Sequence, residues 1–144
     1  MKIYTSLFQE VHYYAPLRIV ESIWQEESYR MTDEEYQTEM CNYLSAIEPY
    51  QPLGALPDTT HLRYTIHPDM QTWMNEQIFP KFSLIGLQVA AFLVSKDIFA
   101  QISIEQTMEE AGGNYFKTRY FDQRSEALAW LGQALLQEEN TGPQ

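Results

Sequence analysis

The chain holds a single cysteine, Cys41, in 144 residues. No intrachain disulfide can form, which excludes a disulfide-stapled scaffold. Basic residues are scarce as well: 9 Lys and Arg stand against 20 Asp and Glu, a formal net charge of −11. That sign opposes DNA, RNA and anionic membranes, all of which need a positive face, so no nucleic-acid partner is expected. No stretch approaches the ~18 consecutive apolar residues of a membrane span. Residues Met1-Lys2-Ile3-Tyr4-Thr5 alternate as a strand does and lack the continuous apolar run of a signal peptide. The expectation is a soluble, cytoplasmic protein. Only six glycines occur, and none builds a phosphate loop; there is also no Walker-type Lys, H-E-x-x-H, Gly-x-Ser-x-Gly or Cys-x-x-Cys. Without glycine-freed backbone amides a nucleoside triphosphate has no cradle, and no cofactor or metal is expected.

What is present is core material. Apolar residues make up 44% of the chain and aromatics 14%, enough for one domain of common size. One α/β domain is expected over residues 1–137, with 138–144 a polar tail.

Residues 3–13 alternate loosely and read as one strand, broken by Ala15-Pro16, and residues 17–24 read as a second. So short a connection makes the pair antiparallel. Thr32-Asp33-Glu34-Glu35 spells a capping box, and Tyr36, Met40, Tyr43, Leu44 and Ile47 follow at helical spacing until Pro49. Residues 53–56 read as a short buried strand and 57–66 as a loop. His67-Pro68-Asp69 starts a second helix, with Met70, Trp73, Met74, Ile78 and Phe82 inward and Pro80 loosening its last turns. Residues 89–94 are apolar on both faces, as a central parallel strand is. Ser95-Lys96-Asp97 opens a third helix, stopped by Gly112-Gly113. Residues 115–121 form a last strand, and Asp122 precedes a terminal helix. The order β-β-α-β-α-β-α-β-α predicts a mixed four- to five-stranded sheet with a parallel core, an antiparallel N-terminal hairpin and helices packed on it.

Three histidines, His12, His61 and His67, match no metal-ligand spacing and read as surface, cap or half-buried residues. Cys41 has no basic neighbour to activate it and reads as a small packing residue. Ligands of open α/β sheets favour the loops at the carboxyl ends of parallel strands. Here those loops carry Asp58, Thr59, Thr60, His61 and Arg63, then Ser95, Lys96 and Asp97, then Asp122 and Arg124. The candidate binding residues are therefore Asp58, Thr59, His61, Arg63, Ser95, Lys96 and Asp97. The methionines and aromatics beside the Pro80-loosened helix offer a different site, an apolar pocket.

Several stretches carry a family likeness: Met31-Thr32-Asp33-Glu34-Glu35-Tyr36, Asp58-Thr59 with Arg63-Tyr64-Thr65, Ser95-Lys96-Asp97-Ile98-Phe99-Ala100-Gln101, and Tyr120-Phe121-Asp122 leading to Glu126-Ala127-Leu128-Ala129-Trp130-Leu131. Over residues 1–136 the chain resembles the small bacterial SpoIIAA-like proteins of the STAS (sulfate transporter and anti-sigma-factor antagonist) type, which have been compared with lipid-binding domains. The resemblance implies a mixed sheet flanked by helices, no enzymatic activity, and a regulatory role through a protein partner. It also implies a phosphorylated Ser opening the second core helix, where phosphate adds charge at a helix N-terminus. Here that region reads Thr65-Ile66-His67-Pro68-Asp69 without the Asp-Ser pair, and Thr65 is the nearest hydroxyl.

Three functions follow as expectations. The first is a non-enzymatic module that meets an unidentified protein through the loops after the third and fourth strands. The second is a carrier of a small apolar ligand or lipid beside the Pro80 helix. The third is an enzyme with a scattered site at Asp58, His61 and Arg63.

Overall fold

The computed structural model describes residues 1–101 and 115–140. The expected helix stop at Gly112-Gly113 and the acidic run at Glu105, Glu109 and Glu110 lie outside them. A mixed sheet of six strands carries the fold: β1 (Lys2–Thr5), β2 (Gln9–Tyr14), β3 (Ile19–Trp24), β4 (Gly54–Asp58), β5 (Val89–Leu93) and β6 (Lys117–Phe121). The strands lie side by side in sequence order. The pairs β1–β2 and β2–β3 are antiparallel, and β3–β4, β4–β5 and β5–β6 are parallel. The predicted class holds, with one strand more than expected.

The extra strand comes from the segment read as one strand over 3–13. Ser6 splits it: its Oγ accepts hydrogen bonds from the amides of Phe8 (3.0 Å) and Gln9 (3.2 Å), while its own amide donates to Gln9 O at 2.9 Å. A serine hydroxyl that serves its neighbours' amides competes with the strand ladder and turns the chain.

Among the described residues the helices are α1 (Asp33–Ile47), α2 (Pro68–Trp73), α3 (Phe79–Leu84), α4 (Lys96–Gln101) and α5 (Arg124–Asn140). A short 3₁₀ turn, Glu26–Arg30, precedes α1. The capping box forms as predicted, Thr32 Oγ1 accepting from Glu35 N and Glu35 Oε1 from Thr32 N. α5 runs on to Asn140, past the expected start of the tail. Cys41 is exposed on α1, so it is not the packing residue expected; the buried stripe passes through Tyr36, Glu39, Met40 and Tyr43 instead.

Between α2 and α3 the helix widens into a π-turn, Met74–Ile78, where Phe79 N–H reaches back five residues to Met74 O. Pro80 explains the widening. It has no N–H for the carbonyl four residues back, and its ring crowds that turn. The predicted loosening is present, placed on the N-terminal side of the proline.

Two apolar clusters sit on opposite faces of the sheet. One gathers Val11, Tyr13, Val20, Trp24, Ala55 and Ala90 under α1, α2 and α3. The other gathers Ile19, Leu56, Val89, Ala91 and Leu93 under Ala127, Leu131 and Ala134 of α5. Both faces of the central strands are therefore covered, which explains the continuous apolar run of β5.

Candidate functional site

The sheet register creates an empty volume on the first of these faces. Across the strands run Tyr13, Val20, Ala55, Ala90 and Thr118, each paired with the next. The two alanines put the smallest side chains at the middle of that row, opposite the widened turn of the helix. The space left is a cavity of about 300 Å³, which falls at the small end of ligand pockets.

Its walls are largely aromatic. Trp24, Tyr36, Tyr43, Phe79, Phe82, Phe92, Phe116 and Tyr120 line it. Phe92 and Tyr120 stack at 5.2 Å between centroids, and Phe79 meets Phe116 edge to face at 5.5 Å. Exposed Gln71 and Asn75 stand at the rim. The polar residues deeper in are Gln9, Ser22, Thr59 and Tyr43. Burial pushes the Tyr43 and Tyr36 phenols well above the usual tyrosine range, so both stay neutral.

Leu62 and Ile66, which belong to the irregular loop of residues 59–67, also line the cavity. The loop is tied down at several points. Thr59 N and Oγ1 both donate to Leu93 O, and Arg63 N donates to Ser28 Oγ at 2.8 Å. Tyr64 stacks on Tyr36 at 4.8 Å, and its hydroxyl donates to Asp33 Oδ1. His67 Nε2 lies 2.6 Å from the other Asp33 oxygen. Those two hydrogen bonds, from Tyr64 and then His67, hold the exposed Asp33 below the ordinary carboxylate range.

Of the predicted site residues only Thr59 lines the cavity. Asp58 Oδ1 accepts from Thr60 N and Thr60 Oγ1 in a local turn. His61 and Arg63 lie on the surface, 3.7 and 3.8 Å from Glu26 Oε1. Ser95 Oγ accepts from Ile98 N at the start of α4, where Lys96 and Asp97 are exposed. Thr65 is exposed in the loop. Arg124 grips Glu21 of β3 with two hydrogen bonds of 3.0 Å. The strand order shows no reversal, so the switch-point crevice that favours strand-end loops in doubly wound sheets has no counterpart here.

Sequence reasoning passed over Gln9, Ser22 and Glu39. Glu39 sits in the buried stripe of α1, and its carboxylate accepts from Ser6 Oγ (2.6 Å), Gln9 Nε2 (3.1 Å) and Tyr4 Oη (2.9 Å). Glu39 lies three residues after Tyr36 and four before Tyr43, a position on the apolar stripe that marks it as buried. Among the described residues no group of three or more His, Cys, Asp or Glu is placed to hold a metal ion, and no helix is long and apolar enough to cross a membrane. No protein-family model, curated protein or solved structure matches this chain, so the STAS-type resemblance rests on the quoted stretches alone.

Proposed function

We propose that this protein binds a small, mainly apolar ligand in the cavity between the sheet and the α1–α3 layer, without acting on it chemically. The observation that carries the reading is the cavity itself: about 300 Å³, walled by eight aromatic side chains and floored by Ala55 and Ala90. Apolar walls with a few fixed polar groups are what a ligand site of this size requires. A π-turn in the covering helix is a feature that recurs at functional sites. The loop of residues 59–67, expected to meet a protein partner, serves in this reading as the cover of the cavity. Thr59, Tyr64, His67 and the amide of Arg63 hold it there.

The test is a titration of the purified chain with N-phenyl-1-naphthylamine, an uncharged probe that fluoresces in apolar surroundings. Saturable binding of about one probe per chain is expected. Ala90→Phe, which fills the floor, should weaken it about tenfold or more, a loss of ~1.4 kcal/mol at the least. Equal binding by a folded Ala90→Phe protein, checked by circular dichroism, refutes the reading. So does the absence of saturable binding to the parent chain.

A further inference from the structure

Resting on the cavity as the binding site, we infer that its ligand is an uncharged aromatic molecule with one hydrogen-bond donor, a phenol-like hydroxyl or an indole-like N–H, received by the side-chain carbonyl of Gln9.

The absence of charge follows from the lining. Among the described residues, none that lines the cavity is Asp, Glu, Lys, Arg or His. An ionised group entering it leaves its hydration behind and meets no counter-ion, which strongly disfavours it. The carboxylate of Glu39 stands directly behind Gln9, and the whole chain carries a net charge of −11. Both oppose an anion. A fatty-acid or aryl carboxylate is therefore the wrong class.

Aromatic character follows from the walls. Eight aromatic side chains line the cavity, so an aromatic ligand gains ring contacts beyond simple burial.

The donor follows from Gln9, whose residue is only 1% exposed. Its amide nitrogen donates to Glu39 O at 3.2 Å and to Glu39 Oε1 at 3.1 Å, which uses both hydrogens. Rotating the amide by half a turn would set its oxygen against a carbonyl and a carboxylate, so the orientation is fixed. Oε1 is left as an acceptor with no donor from the described residues. Every sealed side-chain nitrogen or oxygen among those residues has a partner; Oε1 is therefore open to space, and the space Gln9 borders is the cavity. Glu39 thus acts as a positioning residue that aims the carbonyl.

Three probes of one ring system separate the requirements: 2-naphthol, 2-methoxynaphthalene and 2-naphthoate, each titrated at pH 7 into the full chain by calorimetry. The naphthol should bind about fivefold more tightly than the methoxy compound, the worth of one ordinary hydrogen bond. The naphthoate should bind at least about a hundredfold more weakly than the naphthol. Chemical-shift mapping on the unmodified chain should place the naphthol against Gln9, Ala90 and Phe92, which needs no variant that fails to fold. Naphthoate binding as tightly as naphthol, or no preference for naphthol over its methyl ether, overturns the inference while probe binding in the cavity leaves the proposed function standing. Shifts elsewhere on the surface overturn the inference too. No saturable binding of naphthol or of N-phenyl-1-naphthylamine overturns both.

Discussion

Ala90 and Ala91 are neighbours in one strand, yet they look onto two differently filled interiors. Ala91 points toward α5, where Ile19, Leu56, Val89 and Leu131 pack together and a methyl group on Gly54 would meet Ile19 and Leu135 in ordinary van der Waals contact at 3.4 Å. Ala90 points toward α1–α3 and meets open space. The hollow face carries more buried polar groups, Gln9, Ser22, Glu39 and Thr118 against Glu21, yet it also holds most of the aromatic rings and methionines. Large side chains standing around a floor of small ones cannot reach its centre. Distribution of volume across the register, rather than hydrophobicity, decides which side is dense.

That comparison can be broken by experiment. The largest effect is expected on the dense side, where Leu131→Ala removes fully buried groups that have partners all round. It should cost about 4 kcal/mol in denaturant unfolding, against about 2 kcal/mol for Met74→Ala, whose side chain already borders the cavity. Equal losses would mean that the two faces are packed alike.

The next effect concerns the ion pair that joins β3 to α5. Burial alone would raise the Glu21 carboxyl, but hydrogen bonds from Arg124 and Tyr14 outweigh it and hold the group below the ordinary carboxylate range. A depressed folded value adds stability above the unfolded value of about 4.3, and that stability is lost as pH falls through the lower, folded one. Arg124→Ala leaves Glu21 buried with only Tyr14, and should cost about 2 kcal/mol at pH 7, less than a fully buried pair because Arg124 is half exposed. The variant's stability should also fall less steeply than the parent's between about pH 5 and pH 3. Parallel pH profiles would show that Arg124 does not set the Glu21 equilibrium.

The smallest and most direct contrast is a pair of twin substitutions. Ala91→Leu overpacks the dense face and should cost about 1–2 kcal/mol, whereas Ala90→Leu enters free volume and should be nearly neutral. A reversed order, read from thermal unfolding, would exchange the roles assigned to the two faces.

Much of the scaffold is legible in the sequence because local chemistry dictates it. The capping box at Thr32, the stop near Pro49 and the loosening by Pro80 each depend on residues within one turn of one another. The segments that were misread are those where a local signal was weaker than its surroundings. Ser6 turns a segment whose alternation suggested a single strand. β4 runs from Gly54 through Pro57 to Asp58, past the expected end at Leu56. Cys41 looked like filler until the helix phase placed it in solvent. An apolar pocket beside the Pro80-loosened helix is legible from the local sequence, but its floor and its polar group are not. Its floor needs Ala55 beside Ala90, a pairing that exists only once β4 and β5 are in register, and its acceptor needs Gln9 against Glu39, thirty residues away. The strand-end loops drew attention because they are rich in polar atoms, of which Asp58, Thr59, Thr60 and Ser95 serve to hold the loops themselves.

The sequence-ordered sheet has a consequence for how the protein is made. Each strand from β2 onward finds a partner already synthesised, so the sheet can lengthen in step with translation, without waiting for a strand to be inserted between two others. Helices α1 to α3 emerge before β5 and can shelter one side early. The covering helix of the other side, α5, follows all six strands. Until it emerges, Ile19, Leu56 and Val89 form an uncovered apolar strip on the nascent chain, the segment on which a ribosome-associated chaperone would be expected to act.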